Sequence, residues 1–168
     1  MTDSNGPRFT ARVTKDSLVF SAGHFITFNG TVCERLHGHN WRVDVGIDGQ
    51  LDQNGYVFDF IALRDASMAL VEQLDHRMLL PKNHPLIEVA VSTDDQTVRV
   101  TFEERRWEFP AEECVILPIF NTTAELIAQW FAEQLKERLN LSAAKNVTGL
   151  RVSIEENFGQ WADCHLPL

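Results

Sequence analysis

The segment His37-Gly38-His39-Asn40-Trp41-Arg42-Val43-Asp44-Val45-Gly46-Ile47-Asp48 places an imidazole or a large apolar side chain at every second position. Period-two spacing marks a half-buried strand, clearest over residues 39–48. Residues two apart on a strand point to the same face, so His37 and His39 would project together at its head. Upstream, Phe20-Ser21-Ala22-Gly23-His24 repeats the pattern, so a neighbouring strand could bring His24 to the same place. Three imidazoles with a fourth position open to water or substrate are the donor set of a catalytic zinc site.

A lone His-x-His on a strand is most often structural. Here His24, and Cys33 four residues before His37, shift the balance toward a metal. No Cys-x-x-Cys pair is present to build a closed structural site. Cys33 as a fourth protein ligand would close the coordination sphere. The reading is therefore zinc on His24, His37 and His39, with Cys33 beside it as a reactive thiol. A thiol near a cation loses its proton more easily. Gly38, between two of the imidazoles, suggests close backbone approach.

Working outward, Phe9, Ala11 and Val13 begin a strand that a turn near Lys15-Asp16-Ser17 interrupts before a second strand over 18–24. Asp59 opens a helix with apolar residues Leu63, Ala66, Leu70 and Leu74, ending near Asp75-His76 with Pro81 beyond. Val98, Val100 and Phe102, then Trp107 and Phe109, predict a hairpin with a charged turn over 103–106. A second helix starts at Thr122 or Thr123. Thr122 with Glu125 forms a capping-box pattern, and Ile127, Phe131, Leu135 and Leu139 supply the apolar face. The last predicted strand carries Val152, Ile154 and Glu156. Locally paired strands interrupted by two helices predict an α+β domain, an antiparallel sheet with both helices on one face. Its free edges invite pairing with other copies of the chain.

The 168 residues predict a single domain over 1–168, with residues 1–7 as a loose tail. A net charge of -9 argues against nucleic acid as a partner. It leaves room for a small anionic substrate if a few Lys or Arg line the entrance. No apolar stretch approaches the ~20 residues of a membrane span, and the polar start is no signal peptide, so a cytoplasmic protein is expected. Cys33, Cys114 and Cys164 form no even disulfide framework, which agrees with a reducing compartment.

Asp75-His76 reads either as a histidine favourably placed at a helix C-terminus or as a proton-carrying pair in which the carboxylate fixes the imidazole tautomer. Glu156 is either a solvated strand end or a buried acceptor for two adjacent N–H donors of a ligand. Glu155, its neighbour, is expected to face solvent. His84 is read as a surface residue and Cys114 as core, while Cys164-His165 is a weaker metal candidate.

Together His24, Cys33-x-x-x-His37-Gly38-His39, Asp75-His76 and Glu156 resemble the 6-pyruvoyl-tetrahydropterin synthase family, which includes the 6-carboxy-tetrahydropterin synthases of queuosine and archaeosine precursor synthesis. The resemblance spans Phe20 to Ala162, with four separated elements in order. It implies the tunnelling fold: a four-stranded antiparallel sheet on two helices, sheets joined into a barrel-like trimer that stacks into a hexamer, and active sites shared across subunits. It also implies zinc on the three histidines, Cys33 as the base, Asp75 and His76 as its relay, and Glu156 with Thr123 on the amino-pyrimidinone edge of the pterin. The implied reaction is a zinc-dependent lyase conversion of 7,8-dihydroneopterin triphosphate to 6-carboxy-5,6,7,8-tetrahydropterin. Elimination of triphosphate to 6-pyruvoyl-tetrahydropterin, side-chain cleavage of the folate type, or pterin binding without conversion are the alternatives.

Departures from the family pattern are instructive. Glu34 follows Cys33, and some relatives with a glutamate at that position cleave dihydroneopterin-type side chains for folate synthesis, so the resemblance makes Glu34 a candidate accessory base for that alternative. Asn157 and Cys164 stand where threonine and tyrosine are usual. The stretch 83–117 is longer than in compact members, an insertion carrying the extra hairpin.

Overall fold

The structure is a computed structural model and describes residues 7–168; of the expected tail, residues 1–6 lie outside the described residues. In chain order the elements are β1 (Phe9–Val13), β2 (Val19–His24), β3 (Thr27–Phe28), β4 (Val32–Cys33), β5 (His37–Gly49), α1 (Phe60–Leu74), β6 (Arg77–Pro81), β7 (Glu88–Val91), β8 (Thr97–Phe102), β9 (Arg105–Pro110), β10 (Cys114–Leu117), α2 (Ala124–Arg138), β11 (Val147–Asn157) and β12 (Gln160–Pro167).

β5 organises the large sheet. Along one edge its first half pairs antiparallel with β2, from Val19 opposite Arg42 to His24 opposite His37, and its second half with β1. β11 runs antiparallel along the other edge, with β12 outside it. Beyond β2 lie β6 and β10, both paired in parallel. The expected four-stranded antiparallel sheet is therefore a seven-stranded mixed one, in the order β10-β6-β2-β5-β11-β12 with β1 also on β5. β6 escaped the periodicity because Met78, Leu79, Leu80 and Pro81 are all buried. A strand covered on both faces shows no alternation. β12 follows a tight turn in which Gly159 takes φ 75°, a conformation open to glycine at little strain.

Both helices form where the sequence predicts them; the Asp59 cap is as expected, and the Thr122–Glu125 capping box is not. Asp59 accepts hydrogen bonds from the Ile61 and Ala62 N–H groups, and α1 buries Leu63, Ser67, Leu70, Val71 and Leu74. α2 is capped by Thr123, which accepts from Leu126 N–H at 3.5 Å. Thr122 is not the cap; its hydroxyl is buried and donates to the Phe25 carbonyl. Ile127, Phe131 and Leu135 meet Trp41, Val43, Val45 and Ile47 in one apolar core. Each such side chain contributes about 1.5–3 kcal/mol on leaving water. No helix among the described residues is long and apolar enough to cross a membrane.

The predicted hairpin is β8–β9, turned at Glu103-Glu104, with Glu103 at φ 51°. β7 adds a third strand. This small sheet has its own core of Ile87, Val98, Val100 and Phe102, closed by Phe25, Cys33, Met78 and Leu80.

Candidate functional site

The apolar face of the large sheet ends in the histidines. Along β5 the buried face runs Ile47, Val45, Val43, Trp41 and continues to His39 and His37; along β2 it runs Phe20, Ala22, His24. The register sets Phe20 opposite Trp41, Ala22 opposite His39 and His24 opposite His37. Ring centroids lie 4.7 Å apart for His24 and His37, 5.3 Å for His24 and His39, and 4.8 Å for His37 and His39. One nitrogen from each ring falls within 4.8 Å of the others. Trp41, fully buried, lies edge-on beneath His24 and His39 and closes the floor.

The ring orientations are fixed from behind. His24 Nδ1 lies 2.9 Å from the Thr122 carbonyl and His37 Nδ1 2.9 Å from the Arg35 carbonyl. A carbonyl only accepts, so each Nδ1 carries the proton and each Nε2 presents a lone pair. His24 Nε2 is buried with no hydrogen-bond partner. Leaving such a group unsatisfied costs about 1–3 kcal/mol, and burial next to a carboxylate makes it worse. Burial lowers the His24 pKa to about 4 against the pull of the Thr122 carbonyl, and His37 and His39 add to the shift. Burial, then His37, lowers His39 as well. His24 and His39 are therefore held neutral, the form a divalent ion requires. An imidazole trio with inward lone pairs and a tryptophan floor fits zinc.

Two carboxylates face this cluster. Glu156 Oε1 is 3.4 Å from His24 Nε2, and Glu34 Oε2 is 3.9 Å from His37 Nε2. Burial, then the charge of Glu34, raises the Glu156 pKa. Glu156 is the unpaired residue of a β-bulge, since Glu155 lies opposite Trp161 and Asn157 opposite Gln160. The bulge also reverses the expectation for Glu155, which is buried: it accepts from Gly159 N–H at 2.7 Å and lies 3.8 Å from Arg42. Glu156 and Thr123 line one cavity of about 320 Å³, with Ile26, Glu125 and Trp161.

Cys33 sits elsewhere. It packs into the small sheet's core, its thiol directed to the Glu34 carbonyl at 3.5 Å. Burial raises its pKa, partly offset by Arg105. Asp75 and His76 form a pair at 2.9 Å, built into the start of β6: Asp75 Oδ1 accepts from Ser21 N–H and His76 N–H donates to the Ser21 carbonyl. Burial pushes the Asp75 carboxyl up, but those bonds outweigh it and hold it below its usual value. His76 is exposed and takes φ 55°. It lines a cavity of about 570 Å³ with Ser21, Gly23, Gly38 and Asn40, which alternate with the histidines along their strands, and His37 and His39 border the same cavity. Within one chain the pair stands outside the group of three imidazoles whose nitrogens converge.

Two residues that shape the site had no signal in the sequence. Thr122 acts through its carbonyl, and Arg105 through bonds to main-chain oxygens. Any residue type presents a carbonyl.

Comparison with known proteins gives a consistent picture. Residues 12–166 match the family described as 6-pyruvoyl tetrahydropterin synthase. A protein of Methanocaldococcus jannaschii assigned as a 6-carboxy-5,6,7,8-tetrahydropterin synthase is 35% identical over 146 residues, covering 86% of this chain and 88% of its own. The 6-carboxy-5,6,7,8-tetrahydropterin synthase of Aquifex aeolicus is 29% identical over 137 residues, covering 79% and 76%. The solved 6-pyruvoyltetrahydropterin synthase of Plasmodium vivax superposes with a TM-score of 0.89 at 28% identity, covering 97% of this chain and all of that one. Two further structures of that protein are described as catalytic-residue mutants, a glutamate replaced by alanine and by cysteine.

Proposed function

The chain belongs to the 6-pyruvoyl tetrahydropterin synthase family, and on that footing we propose a lyase that converts 7,8-dihydroneopterin triphosphate to 6-carboxy-5,6,7,8-tetrahydropterin. The observation that carries the chemistry is the buried, unpartnered Nε2 of His24 in a trio of converging imidazoles flanked by two carboxylates. His24, His37 and His39 would hold zinc. When bound, zinc supplies Lewis-acid stabilisation of the negative charge that develops on the substrate side chain.

Glu34 is the proposed base. Its carboxylate faces the imidazoles, whereas the Cys33 thiol is turned into apolar packing that disfavours the thiolate. The catalytic glutamate of the Plasmodium vivax relative supports this choice over Cys33. Glu156, on the cavity it shares with Thr123, would accept the two N–H donors of the amino-pyrimidinone edge. Asp75 holds His76 Nδ1, leaving the other ring nitrogen free to carry a proton on the exposed face. Because the pair is not among the three converging imidazoles, the relay would serve a site shared with a neighbouring copy, as in the hexameric dimer of trimers of the family resemblance.

Incubation of the zinc-loaded protein with 7,8-dihydroneopterin triphosphate, with mass analysis of the pterin and assay of triphosphate and acetaldehyde, tests the reading. A 6-carboxy product is expected. A pyruvoyl or hydroxymethyl substituent would transfer the assignment to another reaction of the family, and tight binding without turnover would remove it. Glu34→Gln is expected to lower turnover by about 10²–10⁴-fold and Cys33→Ser by less than tenfold. The reverse order would return the base role to Cys33.

A further inference from the structure

We infer that Arg105, on the small sheet, is a positioning residue that sets the reach of Glu34. The inference rests on the base role proposed for Glu34. Arg105 opens β9, opposite Phe102 across the hairpin turn. Its Nη1 donates to the Cys33 carbonyl at 2.9 Å and to the Glu34 carbonyl at 3.0 Å. One guanidinium nitrogen thus grips the two peptide oxygens that bracket the Glu34 main chain. Hydrogen bonds from a charged donor are the stronger kind, and the planar fork loses less freedom in making them than a lysine would.

The remaining restraints on this segment converge on the same point. Glu34 N–H donates to the Ile26 carbonyl at 2.9 Å, and Thr27 pairs with Cys33 across β3–β4. The Cys33 side chain is buried among Val98, Val100 and Phe102 of the small sheet. Trp107 of β9 stacks on Phe25 with centroids 4.6 Å apart and planes 21° from parallel. Phe25 directly follows His24, so one short strand braces both the imidazole side and the carboxylate side of the site. Remove Arg105 and the Glu34 peptide keeps its N–H bond but loses the hold on its carbonyl. The carboxylate then samples positions off the reacting proton, and misplacement by about 1 Å can cost on the order of 10²-fold in rate.

The test is a double-mutant cycle between Arg105→Ala and Glu34→Gln, read as kcat, KM and zinc per folded chain. Arg105→Ala alone is expected to lower kcat by about 10–100-fold, with KM within about twofold and zinc content unchanged. Arg105→Lys is expected to recover most of the loss. In the Glu34→Gln background the same Arg105→Ala change is expected to have almost no further effect, because the group it positions is already disabled. If Arg105→Ala folds poorly, Arg105→Gln carries the same cycle. Parental kcat in Arg105→Ala or Arg105→Gln, or an equal loss with and without Glu34, overturns the inference. Parental kcat in Glu34→Gln overturns instead the base assignment on which it rests.

Discussion

The large sheet and the small one are built on the same side-chain alternation and finish differently. Along β5 the buried face passes from Ile47, Val45, Val43 and Trp41 straight into His39 and His37. Along β8 it stops at Phe102, and the charged residues that follow belong to a solvent-facing turn. In the first case His24, on the neighbouring β2, inherits the dryness of the core, which is why it is held neutral down to about 4. In the second, Arg105 stays accessible and acts through carbonyls of another segment. The two meet at Cys33-Glu34, where successive side chains part: the thiol joins the small core and the carboxylate turns to the imidazoles. Chemistry is placed where a core face runs on into titratable groups, and support where a sheet's end reaches a neighbour's main chain.

The contrast breaks first, if it breaks, at His24. Replacing His24 by Ala is expected to empty the metal site and lower turnover by about 10³-fold or more, roughly 4 kcal/mol of barrier. Metal per chain by atomic emission, beside far-ultraviolet circular dichroism, checks it. The fold should persist, since Trp41 and the paired strands remain. A variant that keeps its metal would show that the trio is packing rather than a site. On the small sheet the effect should be of the other kind. Phe102→Ala removes a ring that is 2% exposed, and such a truncation costs about 3–5 kcal/mol in a well-packed core. Urea unfolding reads the loss of stability, and metal binding is expected to survive. Loss of metal in parallel would mean that the two sheets are one functional unit.

Much of this division could be read in the chain itself. The His37-x-His39-x-Trp41 alternation, with His24 on the neighbouring strand, pointed to three imidazoles that lie close enough to hold a metal, because strand periodicity acts on every residue alike, polar or not. Asp59 announced its helix because capping is local chemistry, whereas at the second helix the capping pattern pointed to Thr122 and the cap is Thr123, one residue on. What escaped was relational. The parallel strand β6 is buried on both faces and β10 is partly buried along its length, so neither shows a period, and the bulge at Glu156 shows only as a change of register with β12. That same bulge buries Glu155, which the simple alternation had turned to solvent. Cys33 looked like a thiol beside a cation because its sequence distance from His37 is four; the direction of its side chain depends on a small sheet that begins more than fifty residues later. Asp75 and His76 were identified as a pair, but the sheet face they occupy follows from β6 lying beside β2.

The smallest effect concerns pH and sharpens the same contrast in the metal-free protein. With an ordinary pKa of 6.5 unfolded and about 4 folded, His24 lets the unfolded chain take up a proton first as pH falls. Stability is therefore lost on acidification, beginning near 6.5 and levelling off below about 4. Between pH 7 and 5 this amounts to about 2 kcal/mol. His39 and His84, both lowered by burial, push the same way. Glu156 has the opposite sign, because its folded pKa is raised: the folded chain takes up that proton first and regains stability as pH falls. Urea midpoints of chelator-stripped protein at pH 7, 6 and 5 should therefore decline, and more steeply in Glu156→Gln, where the compensating carboxylate is gone. The steepening separates His24 from a general acid effect, because the amide removes only the one group whose protonation opposes it. A flat stripped-protein profile would mean that His24 reaches water after all. The dry end of the large sheet would then be no different from the wet end of the small one.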